Sequence, residues 1–544
     1  RKQTQIPEDE AYNMNIYFIG MVISMALYII IGGMVSRKLK SANDFYIAEG
    51  NAPTILIVGS IVASYIGCGV YMGDAGECYA GFFAALLTII TMKVVGPIYG
   101  SVFFGRYLRR SGCTTLPEYY GVRFHSTAVR KLSAVIAIIS MVVYLLSVTQ
   151  GLGTLMSFVT GAPYILCIVL VMITFTLISA LSGSKGVLLT DTIMFAVFSS
   201  ASIVGLGFIV KAAGGWFPSI EALANFDKVP GLLAWTCNLD YMYPTGIQNF
   251  IWACGYGIVW GAIASIAPWQ SSRYLMAKNE SVCIRSGAYA AIFLFLIEFV
   301  VNISGVFINR INPDIQNQSH AVLWTVMNRM PTIIGVVFLT GMLAAGISSS
   351  TTFLSLIGSF FTVDILGKKD KSDGLFWARV TIVAASAIVF LLAYANPPSL
   401  FWIMYLGATL VACCWLPMSY ASIWSRRVNK YGAILSMSLG FAGCFGVKLF
   451  TTLKGGGVPV YLDSAFLGMG LSVLGLVIGS AVTKVTPAED AYRKMLHVRP
   501  QTERDIKELR SNIKYAQVSV VLGIVITVIL LVFWALPYTR AVVR

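Results

Sequence analysis

The 544-residue chain is 57% hydrophobic and only 12% charged, with a mean hydropathy of +0.77 and a formal net charge of +15. A soluble chain carries about 25% charged residues, so the composition excludes an ordinary soluble protein and points to a polytopic membrane protein. No long polar stretch separates the apolar segments, and one continuous helical bundle is expected rather than several soluble domains.

A membrane-crossing helix needs about 20 apolar residues. Runs of that length fall near 14–36, 53–80, 82–105, 131–160, 163–183, 187–212, 245–270, 287–309, 333–363, 376–395, 399–425, 431–453, 464–483 and 516–537. The predicted architecture is therefore an all-α integral membrane protein with about 14 transmembrane helices. No small-residue cleavage site follows the first run, so it reads as a span rather than a signal peptide. The chain opens on Arg1 rather than Met, and further native residues are expected before it.

Basic residues alternate with the spans. Arg37, Lys38 and Lys40 follow the first, and Arg106, Arg109, Arg110, Arg123, Arg130 and Lys131 follow the third. Lys185, Arg273, Lys278, Arg285, Lys368, Lys369, Lys371 and Arg379 continue the same side, as do Arg426, Arg427, Lys430 and the segment from Lys484 to Lys514. The opposite loops hold only Lys211, Lys228, Arg310, Arg329, Lys448 and Lys454. Basic loops stay cytoplasmic, so both termini are expected outside a plasma membrane. The positive charge belongs to topology and lipid headgroups, not to nucleic acid.

Two spans carry helix-breaking residues near their middles: Gly67 and Gly69 in the second, Pro268 in the seventh. The two are five spans apart, as the first helices of two inverted five-helix repeats would be. Broken helices at matching positions point to a transporter binding site, although Gly and Pro are common in membrane helices anyway. On this reading residues 1–544 form a single transporter domain. It holds an extra N-terminal helix in 1–40, repeats over 53–212 and 245–425, and further helices in 431–544. The mixed-charge segment 484–515 within the last part reads as an amphipathic cytoplasmic helix on the membrane surface or the bundle, or as a solvated linker.

The ninth span holds five consecutive hydroxyls, Ser348 to Thr352. Hydroxyl oxygens are hard, neutral ligands suited to a small monovalent cation, and a small-residue packing face is the alternative. The ten cysteines form no CxxC and read as core filler, while His125, His320 and His497 stand at no ligand spacing.

Four motifs, in order along the chain, resemble the sodium/solute symporter family, which includes proline, galactose, sialic acid and choline transporters. They are Ser60–Ile66 with its following glycines, Thr190–Asp191 opening the sixth span, Ser272–Asn279 after the seventh, and Ala345–Ser349 leading to Thr362–Ile365. The resemblance spans about residues 40–450. It implies a LeuT-like 5+5 inverted-repeat fold and sodium-coupled symport of a small organic solute by alternating access. The family's sodium site takes two carbonyls from the broken helix and a carbonyl with two hydroxyls from the ninth span. Here those positions are Ala63, Ile66, Ala345, Ser348 and Ser349. Some members hold a second sodium at the Thr-Asp acid and hydroxyls one turn on, which would be Asp191, Thr351 and Thr352.

Proline transporters carry an acid where this chain has Tyr65, and sugar transporters a Glu/Gln pair where it has Gly69 and Val70, so proline and sugar are disfavoured. By the same alignment Tyr65, Thr88, Lys93, Tyr144, Gln150 and Trp269 face the central cavity. The aromatic set resembles the choline transporters' cation cage, but Lys93 replaces a cage aromatic. A lysine in mid-span faces a cavity, pairs with an acid such as Asp74, Glu77 or Glu298, or binds an anionic ligand. The expected solute is a small carboxylate or zwitterion with Lys93 as counter-charge, and a choline-like organic cation is the alternative. An enzyme is not expected, since no nucleophile–base pairing, metal spacing or phosphate loop stands out. A sensor working with a signalling partner and a channel are the competing classes. The expected partners are sodium, the solute and the bilayer, in a monomer or weak oligomer.

Overall fold

The computed structural model describes the chain except for residues 1–7, 37–41, 48–49, 239–242, 370–372, 396–399, 504 and 544. Among the described residues the architecture is helical, and β pairing is confined to one bridge between Ala52 and Ala277. Twelve helices are long and apolar enough to cross a membrane, or thirteen when the bent pair Thr54–Tyr65 and Gly69–Tyr79 counts as one. The expected third span accounts for the difference from about 14. Its helix Phe83–Tyr99 is followed without a break by a π-helical turn, Gly100–Gly105, and by Arg106–Arg110, so the expected third span is present as a helix interrupted by that turn.

The helices start where local chemistry tells them to. Ser126 caps Thr127–Thr160 and Asn279 caps Glu280–Ile311, each side chain accepting from the backbone N–H three residues on. The fifth and sixth expected spans are two separate helices, Tyr164–Leu181 and Gly183–Ala212, joined at a sharp kink at Gly183. Gly183 has φ +53°, and a Cβ there would lie 2.4 Å from the Phe45 ring. The expected loop around Lys185 is thus a single glycine hinge under an aromatic lid.

Both expected helix breaks are present. Thr54–Tyr65 ends as Ile66 turns extended (φ −80°, ψ 104°), and Gly69–Tyr79 resumes at 45° to it. Gly246–Ile266 ends at Ala267 (φ −54°, ψ 152°), and Pro268–Met276 resumes with the proline in its first turn, where it costs no hydrogen bond. The half-helix Pro268–Met276 is buried along its whole length and packs against Thr54–Tyr65 and Thr332–Ser359.

Strapping closes the basic end of the bundle. Ala52 N–H donates to the Met276 carbonyl and Lys278 N–H to the Ala52 carbonyl, both at 3.0 Å. Arg109 reaches the Ala277 carbonyl at 2.6 Å and the Gly50 carbonyl at 3.3 Å. The charged segment 484–515 is packed on this end rather than being a solvated linker. Its helix Pro487–His497 opens on a Thr486–Glu489 capping box. Arg110 donates to the Leu496 carbonyl, Arg123 to the Glu489 carbonyl, and Arg499 pairs with Glu280 at 2.8 Å. From Ile506 onward the segment is already the start of the last spanning helix, Ile506–Leu530.

Close helix approach depends on missing side chains. At Gly305 a Cβ would lie 2.1 Å from the Ala75 carbonyl oxygen of the broken helix. Gly305→Ala is therefore expected to lower stability by about 1–3 kcal/mol, the usual range for overpacking. Gly470→Ala, with nothing within 4 Å of the added carbon, is the control. Melting of both variants in detergent checks this, and equal behaviour would contradict the packing.

Candidate sodium and solute site

The hydroxyl run lies in Thr332–Ser359, buried from Gly341 to Ser359. Hydroxyls in an apolar helix usually bond back to their own backbone, and Ser350 does so to the Gly346 carbonyl at 2.9 Å. Ser348 does not. It donates across the bundle to Asp191 Oδ1 at 2.6 Å, which leaves its oxygen lone pairs to face elsewhere. Ser349 donates to the Ala345 carbonyl at 3.2 Å, and its oxygen stands 3.2 Å from where a Cβ on Gly67 would be. The run and the helix break are thus in contact.

At that break the last helical bond runs from Ile66 N–H to the Val62 carbonyl at 2.8 Å. A helix end leaves its final carbonyls without intrahelical partners, which is the position of Ala63 and Ile66. The Ser349 hydroxyl therefore lies at the helix break, where carbonyls come free of the helix. The donor set fits a monovalent cation.

Asp191 is fully buried and accepts three groups: Ser348, Ser60 at 2.6 Å and Arg273 at 3.0 Å. The Arg273 guanidinium also donates to Thr352 Oγ1 at 2.7 Å, to Ser60 Oγ at 2.8 Å and to the Trp269 carbonyl at 2.9 Å. The candidate second sodium set is therefore bridged by a protein cation: Arg273 lies between Asp191 and Thr352. Thr351 turns to the Ser348 carbonyl at 2.9 Å. Gln270 ties the two broken helices together by donating to the Ile61 carbonyl at 3.3 Å.

Three of the expected cavity residues meet in one aromatic cluster. Tyr144 and Trp269 have ring centroids 5.5 Å apart, and Tyr65 joins through Trp260 at 6.0 Å. Phe353, one residue past the hydroxyl run, packs on Tyr144 at 5.0 Å and on Trp269 at 4.8 Å. Trp260 and Phe353 carried no sequence signal beyond aromaticity. Gln150 lies apart, lining a cleft of about 760 Å³ with Met72, Glu77, His320, Leu400 and Phe401. The cleft opens at the end of the bundle opposite the basic loops. Thr88 falls in the helix Phe83–Tyr99, with its side chain outside the described residues.

Lys93 is wholly buried, with its Nζ 2.5 Å from Glu298 and 3.6 Å from Asp74. Its ammonium lies over the Tyr65 ring at 4.7 Å and the Trp260 ring at 4.9 Å. Of the three acids named as partners, two are engaged, and Glu77 instead accepts from Gln318 at 2.7 Å. A lysine held by two carboxylates has no charge left for a ligand anion.

With this geometry in hand, the sequence model of the sodium:solute symporter family matches residues 45–440. The chain belongs to the sodium:solute symporter family. It is 20% identical to the sodium/pantothenate symporter of Haemophilus influenzae, over 79% of this chain and 92% of that protein. It is 24% identical to the sodium/glucose cotransporter 1 of Oryctolagus cuniculus, over 90% of this chain and 81% of that protein. Among solved structures it resembles a sodium-coupled sialic acid symporter, described as substrate-bound, outward-open and revealing a novel sodium site. That match has a TM-score of 0.72 at 17% identity and covers 87% of this chain and 99% of the other. The family membership and this neighbour establish a LeuT-like fold and a multi-pass, sodium-using symporter. The relatives named are transporters, not enzymes.

Removing one partner of a buried ion pair costs about 3–5 kcal/mol, because the other charge stays buried and uncompensated. Arg273→Met is therefore expected to destabilise strongly, and the double variant Asp191→Asn/Arg273→Met to recover much of the loss. Thermal melting checks both, and a mild single variant would show that the pair does not hold the bundle.

Proposed function

We propose that the chain moves a small zwitterionic solute into the cell together with sodium. The observation that carries the solute class is the placement of Lys93 between Glu298 and Asp74. With Lys93 already paired to acid side chains, a free carboxylate held by it is disfavoured, and the aromatic faces of Tyr144, Trp269 and Phe353 favour a solute that also bears a cationic nitrogen. Among the described residues the two buried cations near the helix breaks, Lys93 and Arg273, are both paired with acids. The N-terminus of the half-helix Gly69–Tyr79 is suited to the solute's carboxylate, since helix N-termini carry partial positive charge. Tyr65, Tyr144 and Trp269 supply aromatic faces, and Gln150 stands on the entry route.

The sodium ligands in this reading are Ala63, Ile66, Ala345, Ser348 and Ser349. Sodium there would link the broken helix to the hydroxyl run, so that ion binding shapes the solute site beside it. Asp191 acts through Ser348, accepting its proton and turning the oxygen toward the ion. Arg273 takes the place of a second sodium between Asp191 and Thr352. The basic end is the cytoplasmic side of a plasma membrane, the termini are outside, and the cleft at Gln150 and Glu77 is the outer entrance.

The test is uptake into vesicles with and without a sodium gradient. The labelled panel holds neutral amino acids, choline, pantothenate, sialic acid and glucose. The expected outcome is gradient-dependent uptake of a zwitterion, with a sodium Hill coefficient of about one. Uptake indifferent to the gradient would defeat the symport reading. Preference for pantothenate or sialic acid would defeat the solute class, and a Hill coefficient near two would return a sodium to Asp191. Ser348→Ala is expected to raise the sodium concentration for half-maximal uptake by about tenfold or more, equivalent to about 1.4 kcal/mol. A variant with unchanged sodium dependence would leave the hydroxyl run a packing face.

A further inference from the structure

We propose that Lys93, Asp74 and Glu298 form a proton-binding site in the bundle interior, reached from the cleft by way of Glu77. This is separate from the sodium ligands and does not depend on which solute is carried. The three side chains are wholly buried and come from three different helices: Gly69–Tyr79, Phe83–Tyr99 and Glu280–Ile311. One ammonium faces two carboxylates, so full ionisation leaves a net charge of −1 away from water. Like charges sharing a dry site do not both stay ionised. The Asp191–Arg273 pair, by contrast, balances one to one.

Hydrogen bonding supports the same assignment. Glu298 Oε2 has no hydrogen-bond partner within bonding distance among the described residues, and the Lys93 ammonium lies 3.6 Å from Asp74 Oδ2. Asn302, wholly buried one turn beyond Glu298 on the same helix face, leaves both amide atoms unpartnered. A protonated carboxyl offers one further donor to the unpartnered oxygens Glu298 Oε2 and Asn302 Oδ1. A metal ion is a poor candidate, because the Lys93 ammonium already lies against both carboxylates and would repel it. The step is simple: one proton converts one carboxylate to a carboxylic acid, and the net charge goes from −1 to zero.

The remaining titratable groups around the site are neutral across the physiological range. The Tyr65, Tyr144 and Tyr256 hydroxyls face the carboxylates from three further helices, with Tyr405 behind Tyr256. Tyr71 faces Glu298, and Cys78 stands beside Asp74 and Glu77. Glu77 supplies the route. It lines the cleft, holds Gln318 through Oε1, leaves Oε2 unpartnered, and lies one turn from Asp74. Protons reaching it from the cleft are one transfer away from the buried site.

The test uses the full chain in detergent, with sodium chloride or choline chloride as the salt and no solute. A native state that holds a proton which the unfolded chain releases loses stability as pH rises. The wild type is expected to lose melting temperature between about pH 6 and about pH 9 in both salts. Glu298→Gln and Asp74→Asn, each leaving one carboxylate for one lysine, are expected to flatten that slope to the part contributed by buried Glu77. Glu77→Gln is expected to keep the rest of it. Infrared difference spectra should show a buried carboxylic-acid carbonyl band in the wild type, lost at high pH and absent from both variants. The proposal is overturned if all proteins share one slope and no such band responds. It is equally overturned if the slope appears only in sodium, or if Glu77→Gln alone removes it.

Discussion

The structure depends on the ion pair between Asp191 and Arg273. Around it meet the first half of one broken helix through Ser60, the second half of the other through Arg273, the helix Gly183–Ala212 through Asp191, and the hydroxyl run through Ser348 and Thr352. A buried charge without a partner is among the most costly defects a core can hold, so these four elements cannot drift independently. The pair also decides how the hydroxyl run is oriented. Because Ser348 donates its hydrogen bond to Asp191, its hydroxyl is turned across the bundle rather than back to its own helix.

A second charged centre lies on the other side of that break and obeys different arithmetic. Lys93 is surrounded by two carboxylates and two aromatic faces, each favourable to a cation. The lysine fills the kind of box in which an organic cation would be held. The two centres thus divide the interior into a charge-balanced part beside the sodium ligands and an acid-rich part below the cleft.

The ends of the bundle differ as alternating access requires. The basic end is bridged by backbone hydrogen bonds between Ala52 and the stretch from Met276 to Lys278, and the Pro487–His497 helix is clamped beside it. At the opposite end the cleft reaches inward to Glu77 and Gln150. The strapping consists of arginine–carbonyl bonds, backbone bonds and partly exposed ion pairs, which can be exchanged for water at modest cost. The interior pair cannot be exchanged so cheaply.

Much of this was legible in the residues alone. Periodic apolar runs, basic loops on one side, Gly67 with Gly69 and Pro268 determine a broken-helix bundle, because lipid permits irregular backbone only where it lines a site. The hydroxyls at Ser348 and Ser349 are likewise readable as ligands once the break is placed. Partner choice is not readable. Asp191 and Thr352 suggest a cation site in sequence, but only the folded chain shows that Arg273, 82 residues from Asp191, donates to both. Lys93 alone is compatible with a ligand or an ion pair, and the packing of three helices brings Glu298 and Asp74 to it. The reason is physical: composition and periodicity report what each segment can bury, whereas charge balance depends on which distant segments share the same few ångströms.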